Sequence, residues 1–271
     1  MARPDYFRIA DQPEVIACWA DTMLSTTASR DNARERAPHW KNTDAKDQRK
    51  MRLVSVNTGL PRDVTWHGRI VTTGIFKQAV QGRVALRKLN LDGDRQADLT
   101  VHGGEHKSVY CYPMEHYGYW RRELPGRELP MGIFGENFTT DGLLEGSIHL
   151  GDRFSIGSAA VIVTQPRLPC YKLGLRFQAD DMVKRFLASQ RTGFYLAVTR
   201  EGEVGADDEI KLLARDPNAV PVSEITRLYI AKRYGDDEVS SIRRALRVVA
   251  LPESWRAYFQ ERLQAMGIAV E

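Results

Sequence analysis

One stretch of the 271-residue chain sets a nucleophile beside charges that would activate it: Gln165-Pro166-Arg167-Leu168-Pro169-Cys170-Tyr171-Lys172. Arg167 and Lys172 flank Cys170, and nearby cations favour thiolate over thiol. A thiol of ordinary pKa, about 8.5, is only slightly ionised at neutral pH, whereas one lowered to about 6.5 is mostly thiolate. Such a thiolate serves either as a nucleophile or as a ligand for a soft metal. The same residues also suit a buried structural cysteine on a proline-rich turn.

A second stretch, Val101-His102-Gly103-Gly104-Glu105-His106-Lys107-Ser108, pairs two glycines with donors. Paired glycines let backbone approach a ligand closely, and successive amides there form an anion-binding nest. His102, Lys107 and Ser108 add donors suited to phosphate. The alternative is a glycine turn between strands, capped by His102. The spelling His102-x-x-Glu105-His106 also matches a zinc-hydrolase pattern. That pattern needs a helix, which two glycines disfavour by roughly 1 kcal/mol each, and Asp94–Thr100 offers no helical lead-in. A third stretch runs from Phe134 to Leu143, where Asn137 offers a donor and an acceptor for an amide or pterin-like edge. Taken alone, the stretch reads better as a surface turn with a capping Asn.

These residues need elements to position them. The β-branched run Ala159–Thr164 predicts a buried strand that ends at the two prolines, so that a stiff loop presents Cys170. Further strands are expected over Leu53–Asn57, Trp66–Ile75, Gly82–Leu89, Phe194–Thr199 and Glu209–Ala214. A hairpin of Gly146–Leu150 with Phe154–Ile156 is expected around Gly151-Asp152. Pro113–Glu123 reads as a helix. After Pro217 the period turns helical: one helix capped by Ser223 runs to about Lys232, a second capped by an Asp runs through Val249, and a third runs from Glu253 to about Met266. Three domains follow: residues 1–50, a flexible N-terminal extension or a mis-assigned start before Met51; 51–216, a mainly β barrel with small helical insertions; and 217–271, a three-helix module expected to pack on it.

Composition narrows the class. Hydrophobic residues at 42%, charged residues at 27% and a net charge of +4 are ordinary for a globular protein and make no case for nucleic acid. Three widely spaced cysteines, Cys18, Cys111 and Cys170, imply no disulfide framework, which points to the cytoplasm. No apolar run approaches the ~20 residues that span a bilayer, and there is no signal-peptide pattern.

Taken in order, His102-Gly103-Gly104, Gly135-Glu136-Asn137, Gly151-Asp152 and Gln165-Pro166-Arg167 with Pro169-Cys170 resemble a MOSC domain, named for the C-terminal part of molybdenum cofactor sulfurase. Val56-Asn57-Thr58-Gly59 and the trailing helices narrow the resemblance to the YiiM-like branch, over about residues 51–266. The resemblance implies a MOSC-type β-barrel with a C-terminal three-helix segment. It implies the molybdenum cofactor, Mo-molybdopterin, with Cys170 as metal ligand and catalytic centre. It also carries over His102, Gly103, Gly104 and Asn137 as cofactor-binding residues. Arg167 and Lys172 are charge partners for thiolate and cofactor, and Lys107 and Ser108 join the cofactor-binding set on chemistry alone. The implied reaction is reduction of N-hydroxylated compounds, such as 6-hydroxylaminopurine and related base analogues, in detoxification.

The chain carries neither a G-x-G-x-x-G fingerprint nor an iron–sulfur cysteine set, so electrons are expected from a separate flavoprotein or ferredoxin-like reductase. The oligomeric state is open, with a homodimer among the options. Two other classes compete. A persulfide on Cys170 would make the protein a sulfur carrier in metal–sulfur cluster or cofactor assembly. Arg227, Lys232, Arg233, Arg243, Arg244, Arg247 and Arg256 outline a basic helical module, yet Asp236, Asp237 and Glu238 in its turn argue against nucleic acid.

Overall fold

The computed structural model describes residues 50–269, with Thr100 and Val101 by backbone alone. The expectations for residues 1–49 therefore lie outside the described residues. In chain order, β1 (Arg52–Thr58) is followed by β2 (Arg62–Trp66), β3 (Arg69–Thr73), β4 (Gln78–Ala79) and β5 (Arg83–Leu86). Next come the short α1 (Leu99–His102), a 3-10 turn at Glu105–Lys107, β6 (Val109–Pro113), α2 (Glu115–Glu123) and β7 (Phe138–Asp141). Strands β8 (Arg153–Ile156) and β9 (Ala159–Pro166) lead into α3 (Tyr171–Phe177) and α4 (Met182–Ser189). Then β10 (Phe194–Arg200), β11 (Gly202–Gly205) and β12 (Ile210–Ala214) precede α5 (Val222–Ile230), α6 (Asp236–Leu246) and α7 (Glu253–Ala265).

The main sheet has eight strands in the order β12-β8-β9-β10-β6-β7-β1-β4. The apolar run expected to be a core strand is β9, buried at seven of its eight positions and flanked on both sides by antiparallel neighbours. One pair, β6–β7, is parallel, in the register Cys111↔Phe138. A parallel pair needs a crossover, and α2 lies in that connection. The barrel expectation is corrected: the sheet is mixed and is not closed into a barrel. Its outer strand β12 meets β1 only at a seam, the bridge Arg52↔Glu209 with Ile210 N–H donating to Met51 O over 2.8 Å. Two two-stranded sheets, β2–β3 and β5–β11, stand apart from the main sheet.

The core beside β6 is aromatic. Tyr112, Tyr117, Trp120, Phe134, Phe177 and Phe186 pack in one buried cluster, in which Trp120 Nε1 donates to the Tyr112 hydroxyl over 2.6 Å. A buried Trp is tolerated where its N–H finds a partner. The three C-terminal helices end within three residues of their expected limits, but their caps differ. Pro221, not Ser223, caps α5, and Gly235, not an Asp, caps α6, with its N–H donating to Glu238 over 2.9 Å. The expected hairpin at Gly151-Asp152 is also corrected. Residues 146–150 form a turn and a single bridge, His149↔Pro221, rather than a strand; Asp152 accepts from His149 N, Asp216 N and the Arg215 guanidinium, and β8 pairs instead with β9. Trp66–Ile75 is the end of β2 and all of β3 rather than one strand. Among the described residues, no helix is long and apolar enough to cross a membrane.

Candidate functional site

Cys170 is half-buried at the N-cap of α3 rather than on a free loop, and its carbonyl accepts the first turn's Leu173 N–H at 2.9 Å. It lines an open cleft with a cavity volume of about 90 Å³. His102, Lys107, Asn137, Arg167 and Lys172 line the same cleft, so six of the residues expected to act together meet there. Residues far apart in sequence converge because Lys107 precedes β6, Asn137 precedes its parallel neighbour β7 and Arg167 follows β9, with the 102–107 turn packed against β9 through Thr164 Oγ1, which donates to His106 O over 2.8 Å.

The electrostatics suit a thiolate. Burial alone would raise the Cys170 thiol. A hydrogen bond with His102, the charges of His102 and Arg167, and the Lys172 backbone N–H outweigh burial and bring the pKa down to about 7. Cys111 behaves oppositely: fully buried between β10 and β7, its thiol is pushed well up, chiefly by burial. Burial draws the Lys107 ammonium down to about 7.

Arg167 is the second key group. Its side chain is 5% exposed, and its guanidinium carbon lies 5.2 Å from the ring centres of both Tyr110 and Phe186. Its N–H donates to Gly193 O over 3.1 Å, which pins the loop to the start of β10. Its buried Nη1 has no hydrogen-bond partner. A buried donor left open costs on the order of 1–3 kcal/mol, and more when it carries charge.

Other expected site residues lie outside the cleft or have partners within the protein. Ser108 is fully buried outside the cleft, and its hydroxyl donates to Lys88 O and Glu105 O, at 2.7 and 2.8 Å. Neither glycine of the pair lines the cleft. A Cβ on Gly103 would meet Leu99 at 2.9 Å, and Gly104 turns the chain at φ 95°. Both positions permit the tight turn between α1 and the 3-10 turn. The two histidines of the zinc-like spelling share no helix, since α1 ends at His102 and the 3-10 turn begins at Glu105. Asn137 borders the cleft, but all its polar atoms are engaged. Its Oδ1 accepts Tyr110 N at 3.1 Å, and its Nδ2 donates to Asp94 at 2.9 Å and to Asn57 O at 3.3 Å. It is a strut between β1, β6 and the 94 turn, with both Nδ2 protons used within the protein.

Lys77 and Asp94 escaped the sequence reading. They form a buried ion pair in the cleft wall, with Asp94 also accepting Gly59 N at 2.9 Å. Burial lowers the Lys77 ammonium, although Asp94 pulls the other way. Asp94 had the look of turn chemistry in Asp92-Gly93-Asp94, and nothing local distinguishes an Asp that caps a turn from one aimed inward. Tyr110 and Tyr195, also cleft residues, looked like ordinary strand aromatics.

Comparison with known proteins agrees with this geometry. Residues 98–211 match the model of the MOSC domain, and residues 220–265 match that of the YiiM-like, 3-alpha helix domain. The protein YflK of Bacillus subtilis (strain 168) is 38% identical over 216 residues, which are 79% of this chain and 96% of YflK. YiiM of Escherichia coli (strain K12) is 38% identical over 192 residues, 70% of this chain and 84% of YiiM. The crystal structure of YiiM from Geobacillus stearothermophilus superposes with a TM-score of 0.65 at 35% identity, covering 79% of this chain and 99% of that one. The chain belongs to the MOSC domain family, in its YiiM-like branch with the 3-alpha helix domain.

Proposed function

We propose that this protein binds the molybdenum cofactor through Cys170 and reduces N-hydroxylated compounds. The observation that carries the reading is the buried, unpartnered Nη1 of Arg167 beside a thiol lowered to about 7. Among the described residues, no three His, Cys, Asp or Glu side chains gather as a metal-ligand set. A single thiolate fits a metal that arrives already held by its own ligands, and soft thiolates suit such a centre. A reductase from Gibberella moniliformis, 31% identical over 183 residues, supports a redox role, although this chain spans only 32% of that protein.

Cys170 would ligate the metal, and the basic groups of the cleft, Arg167, Lys107, Lys172 and His102, would balance the cofactor's dithiolene and phosphate charges. When bound, the cofactor supplies two-electron redox chemistry for cleaving the N–O bond. The chain's own residues do the rest. His102 holds the Cys170 sulfur as thiolate through its hydrogen bond. Conversion of N–OH to N–H and water consumes two electrons and two protons. The Lys107 Nζ, titrating near 7, is suited to give one of those protons at neutral pH. The electrons come from a separate flavoprotein or ferredoxin-like reductase.

Metal analysis with pterin release, on protein from a host that makes the cofactor, tests this beside Cys170→Ser. The expected result is near-stoichiometric molybdenum in the parent and little in the variant. Folded protein without molybdenum in either would sink the reading. A persulfide mass increment on Cys170 in that metal-free protein would favour the second reading, a sulfur carrier, which the lowered thiol also serves.

A further inference from the structure

Outside the cysteine cleft, three arginines from separate parts of the chain gather around two phenylalanines. The Arg62 guanidinium carbon lies 3.7 Å and that of Arg176 4.7 Å from the centre of the same Phe76 ring. Arg127 lies 5.1 Å from the Phe177 ring, one residue beyond Arg176, and donates from Nη1 to Phe177 O. Burial and then the like charges of Arg62 and Arg127 hold the Arg176 guanidinium below its ordinary value. Among the described residues, none of the three makes an ion pair, and the buried Nε of Arg176 has no hydrogen-bond partner. The carboxylate that Arg176 does feel, Glu136, is fully buried and already accepts from Tyr117, Gly132 N and Phe134 N.

Several other arginines are paired with carboxylates. Arg83 has Asp208 and Glu203, Arg87 has Asp92 and Glu201, and Arg185 has Glu123. Like charges held together on an aromatic platform, with no carboxylate between them, leave a concentrated positive site. The rings fix two guanidiniums in place, so little orientational freedom remains to be lost when an anion arrives. Three guanidiniums offer forks to several oxygens at once, which matches a phosphate better than a carboxylate, whose two oxygens one fork satisfies.

We propose that Arg62, Arg127 and Arg176, on the Phe76–Phe177 platform, form a second anion site that takes a phosphate group outside the cysteine cleft. The inference goes beyond the cofactor reading and does not depend on it. Its location follows from the chain: Phe76 sits between Ile75 and Lys77 of the cleft wall, and Arg176 lies on α3, which Cys170 caps.

The test is calorimetric titration of the full chain with inorganic phosphate and with adenosine 5′-monophosphate, in the parent and in Arg62→Gln, Arg176→Gln and Arg167→Gln. Arg62 is exposed and Arg176 half-buried, so neither substitution threatens the fold, and equal melting temperatures would verify that. The expected result is binding that weakens at least tenfold in Arg62→Gln and in Arg176→Gln, persists in Arg167→Gln and declines with added salt. Tighter binding of the nucleotide than of phosphate would assign the site to phosphomonoesters, and equal binding would assign it to free phosphate. Absence of binding in the parent would overturn the proposal. So would loss in Arg167→Gln with retention in Arg176→Gln, since the phosphate would then sit in the cysteine cleft.

Discussion

Arg227 and Arg256 of the helical module and Arg167 of the cysteine cleft are held in opposite ways, although Arg243 of the module also leaves its buried Nε without a hydrogen-bond partner. In the module, Arg227 is held by Glu224 at 2.8 Å and by Glu238 at 2.6 Å, and Arg256 donates to Leu246 O, Val248 O and Leu251 O. Those guanidiniums join helices and cap the loop between α6 and α7. In the cleft, Arg167 is more deeply buried and leaves Nη1 open. A satisfied arginine is part of the scaffold. The proposed function gives the open guanidinium beside the lowered thiol an anion to receive. The comparison also weakens the nucleic-acid alternative, because two of the basic residues that suggested it are committed inside the module.

The sharpest way to break this comparison is Arg167→Gln. Molybdenum occupancy should fall at least tenfold while the melting temperature shifts little, because the substitution removes a charge that lacks a full set of partners. Unchanged occupancy would show that the open guanidinium is not a ligand group. Arg256→Ala should do the reverse. Losing three hydrogen bonds from a charged donor should cost about 2–3 kcal/mol in urea unfolding, with occupancy per folded protein unchanged. A smaller effect concerns the thiol. Below its pKa of about 7 Cys170 is protonated and slow to alkylate, and above it the thiolate reacts. Removing His102 deletes a hydrogen bond and a charge that favour thiolate and leaves burial, which opposes it. The midpoint of iodoacetamide labelling against pH should therefore rise by about one pH unit or more in His102→Ala. An unmoved midpoint would remove His102 from the site.

Much of the fold was legible where one physical signal dominates. The run Ala159–Thr164 reads as a strand buried on both faces, and β9 is that strand. Helical periods after Pro217, broken by Gly235 and Pro252, marked α5, α6 and α7 to within a few residues. Helices α3 and α4 were not legible. Prolines at 166 and 169 suggested a rigid loop, and the helix after them is only seven residues long. Strand β7 was hidden because its role depends on a parallel partner supplied by a crossover. Caps proved ambiguous because a Ser or Asp near a helix start signals a boundary without fixing which residue closes it.

For the site, the sequence by itself singled out Cys170 as the candidate, a cysteine flanked by Arg167 and Lys172 after a strand and two prolines; that His102 is its hydrogen-bond partner and that Lys172 acts through its backbone N–H came from the fold. The sequence also determined the family, through an ordered set of short motifs. Tertiary structure alone decided which motif residues reach the cleft. Asn137 and Ser108 have the right donors, but those donors are spent on neighbours that only folding brings near. Lys77 and Asp94 became cleft residues for the same reason, since β4 and the 94 turn meet through a buried ion pair. Residue type fixes what a group can do. Which partners are already satisfied is a property of the packed molecule, because hydrogen bonds and burial are settled between segments remote in sequence.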